Sequence, residues 1–305
     1  MKIVFMGTPD FAVPSLDILN RNNYEVCCVV TAPDKPKGRG LKPGYSAVKE
    51  YALTHNFKIL QPENLRDDNF RKDILDLNLD LIIVVAFRIL PEKIYNIPSK
   101  GAFNLHASLL PKYRGAAPIN YAIINGEKET GVTTFFLNKT VDTGEIIAQR
   151  KVEIGDKDFG ELYNELKIIG AELVLETVKK IESGKLELKK QNDAEASPAP
   201  KIFKSDCRIN WNDSEVNIYN KIRGLSPVPC AFTTFQEKIL KIYKTELTEI
   251  QSEKDAGEVE IIDNELYVNT NGKKLKIIEL QKEGRKRITA SEFITGLQNK
   301  NIKFI

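Results

Sequence analysis

The chain has 305 residues, 42% of them hydrophobic, and its 45 Lys and Arg against 42 Asp and Glu leave a formal net charge of +3. That balance excludes a collagen-like chain, a disordered tail and a disulfide scaffold, and it supplies apolar material for a large core in about two domains. So small a net charge does not announce nucleic acid, whereas the two histidines, His55 and His106, confine any imidazole chemistry to one of two places. Residues 1–6 read as a buried strand rather than a leader, which would need a basic start, ~7–15 apolar residues and a small-residue cleavage site. No stretch approaches the ~20 apolar residues of a membrane span, so no membrane partner is expected. Cys27, Cys28, Cys207 and Cys230 form no C-x-x-C pair. Reduced thiols in a cytoplasmic protein are therefore expected, without a zinc ribbon or any other metal centre.

In chain order, apolar runs at 3–6, 25–31, 57–60 and 79–86 alternate with helical patterns at 11–20, 46–54 and 69–77. Strand runs without polar alternation suit a parallel sheet covered on both faces. The β-α-β-α order with right-handed crossovers predicts a doubly wound α/β domain. Further strands are expected at 103–106, 132–137 and 145–152, and a long helix at 159–182 that Ser183-Gly184 stops. Residues 191–201 (QNDAEASPAPK) are small and polar with two prolines, which reads as a linker. A short helix at 214–222 and short strands at 231–235, 240–247, 257–262, 265–269 and 274–280 then predict a small β-barrel.

The densest chemistry lies at 103–118, FNLHASLLPKYRGAAP. On a strand, Asn104 and His106 share one face. Ligands of open α/β sheets bind beyond the carboxyl ends of the strands. There, Asn104 would offer a neutral donor to a developing oxyanion, and His106 would exchange a proton at working pH. Spacing alone leaves a hydrogen-bonded core histidine equally open. Asp142, in Val141-Asp142-Thr143-Gly144, reads as a turn residue bonding its own backbone; it could instead orient and charge His106, or relay a proton from an amine.

H-x-S-L-L-P-x-x-R-G-x-x-P over His106 to Pro118, preceded by Asn104 and followed by Asp-Thr-Gly at 142–144, resembles the 10-formyltetrahydrofolate-dependent formyltransferases. Gly7-Thr8-Pro9-Asp10-Phe11, Pro33-Asp34-Lys35-Pro36 with Gly38-Arg39-Gly40, and Asn210-Trp211 extend the resemblance along most of the chain. It implies a Rossmann-like catalytic domain at 1–189, a linker at 190–206 and an OB-like, tRNA-binding barrel at 207–305. Asn104, His106 and Asp142 match the family's catalytic trio, and Ser108, Leu109, Leu110 and Pro111 match its folate-contacting segment. The implied reaction moves a formyl group from 10-formyltetrahydrofolate, without a metal, to the α-amine of methionine esterified to initiator tRNA. One departure stands out: residues 86–91 (AFRILP) lack the glycine usual before the Leu-Pro. Altered pterin contacts are therefore expected, with Arg88 facing solvent or replacing a lost polar contact.

The stretch 34–44 (DKPKGRGLKPG) is too polar and broken to predict an element. The resemblance assigns its Lys35, Lys37, Arg39 and Lys42 to the acceptor end of the tRNA. Lys282, Arg285 and Arg287 form a second cluster, expected to hold phosphates without reading sequence. His55, Phe203 and Trp211 are expected to be, respectively, exposed and inert, packed, and packed. One chain holding a whole site implies a monomer. A sugar-nucleotide N-formyltransferase, a formyltetrahydrofolate hydrolase and a nucleic-acid-binding protein with an inert α/β domain remain the alternatives.

Overall fold

The computed structural model describes residues 1–37, 42–297 and 302–305, with only the backbone at 36, 37, 42 and 43. They form two compact units: Met1–Gly115, Thr130–Val152 and Tyr163–Pro198 in one, Ala116–Glu129, Glu153–Leu162 and Ala199–Ile305 in the other. In chain order the first half carries β1 (Lys2–Gly7), α1 (Val13–Arg21), β2 (Glu25–Val30), β3 (Lys35–Lys37), β4 (Lys42–Gly44), α2 (Ala47–Thr54), β5 (Ile59–Leu60), α3 (Asp68–Leu75), β6 (Leu81–Val85), α4 (Glu92–Tyr95) and β7 (Ala102–His106). Then come β8 (Arg114–Gly115), α5 (Pro118–Ile124), β9 (Glu129–Phe136), β10 (Ile146–Glu153) and α6 (Phe159–Ser183).

The first unit is built on a seven-stranded sheet in the order β10-β9-β7-β6-β1-β2-β5. From β7 to β5 every pairing is parallel. β9 runs antiparallel to β7, setting Asn104 opposite Phe135 and His106 opposite Thr133. The chain leaves β1 toward β2 and β5 on one side and returns to β6 and β7 on the other. Such a reversal of winding opens a crevice at the carboxyl ends of the strands. Every residue of β6 is buried, the outcome expected of a strand covered on both faces. Helix α2 starts where Ser46 Oγ accepts the Lys49 backbone N–H at 3.1 Å, and α3 where Asp67 accepts that of Asn69 at 2.8 Å.

The basic stretch corrects the expectation that it forms no element. Lys35 pairs with Gly44 and Lys37 with Lys42 as a short antiparallel ribbon, with Pro36 opposite Pro43. Neither proline has an N–H, so this pair takes the non-hydrogen-bonded position of the ladder and costs no bond.

The second unit follows β11 (Pro198–Ala199) with α7 (Glu215–Leu225), β12 (Ala231–Phe235), β13 (Lys238–Gln251), β14 (Glu258–Ile262), β15 (Glu265–Val268), β16 (Lys273–Lys282), β17 (Ile288–Thr289), α8 (Ala290–Thr295) and β18 (Ile302–Lys303). The strands pair in the order β12-β13-β16-β15-β14-β18. The last residue brings the sheet round on itself: Ile305 and Thr234 exchange backbone bonds at 2.8 and 3.0 Å. The expected β-barrel is therefore present, nearly closed. Its core holds Trp211, which donates to Thr233 Oγ1 at 3.0 Å and lies 6.0 Å from the Phe304 ring. Phe203, expected to pack, is instead 60% exposed, with the Lys201 ammonium 5.4 Å from its ring centre.

Two stretches within 1–189 thus join the barrel's unit. The reason is local packing of α5 on α7. Asn120 donates to the Gly224 carbonyl at 2.8 Å, and a Cβ on Gly224 would lie 2.7 Å from Ile124 Cγ1, so only glycine lets the two helices approach. Arg223 also donates to the Gly155 and Lys157 carbonyls at 2.7 and 3.1 Å. All four cysteines are free, and burial pushes the Cys28 thiol up to about 12 and that of Cys230 to about 11. Among the described residues no helix is long and apolar enough to cross a membrane, and no His, Cys, Asp and Glu group could hold a metal ion.

Candidate active site

β7 ends on His106, and the pleat sets Asn104 on the same side two residues earlier. The His106 ring is buried, and its Nε2 lies 2.8 Å from the Tyr113 carbonyl. A carbonyl oxygen only accepts, so Nε2 carries a hydrogen. Nδ1 is left facing Asp142, whose Oδ2 is 3.9 Å away. That separation is beyond a hydrogen bond but within strong Coulomb range. Asn104 is half-buried, and its amide makes no hydrogen bond to any described residue. His106 at the end of β7 and Asp142 from the turn after β9 thus face each other, with Asn104 two residues earlier on the same strand.

Asp142 occupies a demanding backbone position. Its φ is +56°, a left-handed conformation that Asp tolerates better than most side chains. Its Oδ2 accepts the Gly115 N–H at 2.9 Å, so the carboxylate is tied to the loop after β7 rather than to its own turn. Two residues on, a Cβ at Gly144 would lie 1.6 Å from the Phe136 carbonyl oxygen, which makes glycine obligatory where the turn rejoins the hairpin.

The Ser-Leu-Leu-Pro segment is pinned locally and by side chains of β9 and β10. The Ser108 hydroxyl donates to the Lys112 carbonyl at 2.6 Å, and Thr133 Oγ1 donates to the Ser108 carbonyl at 2.6 Å. Gln149 donates to the Leu110 carbonyl and to Thr133 Oγ1, both at 2.9 Å. The Ser108 and Leu110 side chains are buried, whereas Leu109 and Pro111 are half-exposed. In the departing loop, Arg88 is half-buried rather than facing solvent. Its guanidinium donates to the Pro62 and Glu63 carbonyls at 2.7 and 2.9 Å, while Ile89 beside it is 76% exposed.

Sequence reasoning missed Gln191, which lies in the stretch read as a linker. It is 8% exposed and donates from Nε2 to the Asp142 and Gly144 carbonyls at 2.9 and 2.8 Å. Its Oε1 accepts from Arg114 Nε and Nη2 at 3.1 and 2.7 Å. Its only sequence signal is a glutamine among small polar residues, which announces nothing.

The basic ribbon rises from a clamp. Lys49 Nζ lies 2.5 Å from Asp34 Oδ2 and 2.7 Å from Gln61 Oε1, and hydrogen bonds from Lys49 and then Gln61 hold the Asp34 carboxyl below its usual range. Lys35 is exposed, Lys37 and Lys42 stand on the ribbon, and Arg39 lies outside the described residues. In the barrel unit the charges differ in freedom. Lys273, Lys274 and Lys276 are each paired to a carboxylate, Glu249, Glu260 and Glu265 respectively. Arg287 pairs with Glu279 and lies 4.3 Å from the Tyr243 ring centre. Lys282, by contrast, sits 4.7 Å from the Phe293 ring centre, and with Gly284, Arg285, Lys286 and Ile288 it lines an open concavity. His55 is exposed at the end of α2, as expected, with its Nδ1 2.9 Å from the Tyr51 carbonyl.

Two family models match the chain: formyl transferase over residues 1–178, and formyl transferase, C-terminal domain, over residues 201–298. A methionyl-tRNA formyltransferase of Caldanaerobacter subterraneus subsp. tengcongensis is 46% identical over 299 residues, 97% of each chain. The N-formyltransferase of Helicobacter canadensis, solved with folinic acid and dTDP-3-aminofucose, aligns with a TM-score of 0.67 at 24% identity, covering 92% of this chain and 99% of its own. HypX of Aquifex aeolicus in complex with tetrahydrofolic acid aligns with a TM-score of 0.66 at 17% identity, covering 99% of this chain. The chain spans about half the length of HypX, 50%.

Proposed function

The chain belongs to the formyl transferase family, and on that premise we propose that it transfers the formyl group of 10-formyltetrahydrofolate to the free α-amine of methionyl-tRNA, yielding formylmethionyl initiator tRNA for translation initiation. The observation that carries the substrate is the 46% identity, over 97% of both chains, to a methionyl-tRNA formyltransferase. The amino-sugar enzyme shares the fold at 24% identity. The reading places the enzyme in the cytoplasm as a monomer, with catalysis at 1–189, a connection at 190–206 and tRNA binding at 207–305.

The donor supplies an activated formyl carbon. The neutral amine adds to it, and the carbonyl oxygen becomes an oxyanion. Asn104, with amide hydrogens unclaimed by any described residue, is the donor aimed at that charge. His106 is held by Tyr113 at Nε2, so the proton lost by the amine and gained by the departing folate nitrogen is handled at Nδ1. The Asp142 carboxylate, 3.9 Å from Nδ1, offsets the positive charge the ring carries in between. Ser108 and Leu110 hold the loop, while Leu109 and Pro111 offer surface to the folate. The 86–91 loop without its glycine, with Arg88 drawn toward Pro62 and Glu63, supports the reading of an altered pterin wall. Lys35, Lys37, Arg39 and Lys42 grip the acceptor end of the tRNA, and Lys282, Arg285 and Arg287 hold its backbone.

One assay tests the reading. The protein is mixed with 10-formyltetrahydrofolate and either methionyl-tRNA or an amino-sugar nucleotide. Formylmethionyl-tRNA is expected; formylated sugar beside untouched methionyl-tRNA overturns the proposal. His106→Asn and Asp142→Ala should each lower turnover by at least ~10²-fold with tRNA affinity little changed. Near-normal turnover removes those residues from the mechanism.

A further inference from the structure

We propose that Gln191 is a positioning residue that fixes Asp142 against His106, and that residues 191–197 brace the catalytic pair; the inference rests on the catalytic reading above. Asp142 sits in a turn at positive φ, a sparsely populated conformation whose surroundings set where the carboxylate points. The two ends of the residue are tied to two different segments. The carboxylate takes the Gly115 N–H at 2.9 Å. The carbonyl takes one hydrogen of the Gln191 amide at 2.9 Å, and the Gly144 carbonyl takes the other at 2.8 Å. The Gln191 oxygen accepts twice from Arg114, the residue before Gly115. The bonds close a ring: Asp142 carboxylate, Gly115, Arg114, Gln191, Asp142 carbonyl.

Six residues on, the same segment reaches the other member of the pair. Ser197 Oγ accepts the Tyr113 N–H at 3.0 Å, and the Ser197 carbonyl accepts the Arg114 N–H at 2.9 Å. Tyr113 is the residue whose carbonyl holds His106 Nε2. Glutamine suits this role chemically. It presents two donors and an acceptor on one plane, in a buried place where an unmatched charge would be costly. A glutamate keeps the acceptor for Arg114 but has nothing to give the two carbonyls.

The test uses the full chain with Gln191→Met and Gln191→Glu, and Asp142→Ala as the reference. Both Gln191 variants should lose kcat by ~10–10²-fold, with KM for methionyl-tRNA and for the folate donor within about twofold, because sub-ångström misplacement of reacting groups acts on turnover. Two readouts separate positioning from mere stability. Exchange of the Gly115 amide hydrogen should quicken at least ~10-fold. The ¹⁵N signals of the His106 ring should shift while those of His55, the one other histidine, stay put. Wild-type kcat per folded molecule in either variant, or unchanged Gly115 exchange, overturns the brace. If Asp142→Ala itself turns over normally, the catalytic reading fails instead. An inactive Asp142→Ala beside a fully active Gln191→Glu sinks the brace alone.

Discussion

Tyr113 decides which nitrogen of His106 faces Asp142. By taking the Nε2 hydrogen through a carbonyl, it leaves Nδ1 as the one nitrogen beside Asp142, so the tautomer follows from backbone geometry. His106 and Asn104 were legible as a pair because the two-residue repeat of a strand puts them on one side. Gln191 was not, because its partners Asp142 and Arg114 lie 49 and 77 positions away, and spacing carries no sign of such bonds. Charges in the barrel were opaque for the same reason. Lys274 is nearly buried and pairs with Glu260 at 2.7 Å across the sheet. Its hydrogen bond, followed by those of Asn269 and Lys254, lowers the Glu260 carboxyl to about 2. A depressed carboxyl stabilises the fold fully above its ordinary pKa of 4.5 and loses that contribution as pH falls toward about 2. Glu260→Gln should therefore be less stable by about 1–3 kcal/mol at pH 7, with the gap closing through that acid window. Urea unfolding at a series of pH values measures it, and a gap that ignores pH would count against this account.

At the scale of elements, the strands and long helices were readable because uninterrupted apolar runs leave no other way to bury themselves. Two exceptions have separate, local causes. The ribbon strands 35–37 and 42–44 pair through positions that local propensity disfavours, and α5, about two turns long, was passed over because it is short and opens on Pro118 behind an irregular loop. The turn that carries Asp142 has no room for a side chain at Gly144. At Gly144 a methyl group would overlap the Phe136 carbonyl, and flexible side chains cannot relieve a clash with backbone. Gly144→Ala should cost at least about 2 kcal/mol in unfolding free energy. It should also lower kcat, because the turn must shift and take Asp142 with it. A variant of native stability and turnover would show that the hairpin has slack the present geometry denies.

Over the whole molecule, where charges sit outweighs their sum. Of the barrel's basic residues, those at 273–276 and Arg287 already face carboxylates, while Lys282 and Arg285 line an open concavity. Release of counterions from a bound nucleic acid should follow the unpaired set. A Lys282→Ala, Arg285→Ala double variant is expected to reduce the slope of log affinity for tRNA against log salt by about 1.4–1.8. Adding Arg287→Ala should change it less, because that guanidinium is already matched by Glu279. A slope untouched by the double variant would move the phosphate contacts elsewhere. Trp211 has a use of another kind. It is the chain's one tryptophan, and it lies wholly inside the barrel's core. Its fluorescence therefore follows the melting of that unit by itself, while circular dichroism sums both. Two inexpensive optical signals thus give each half its own unfolding curve, with no label attached.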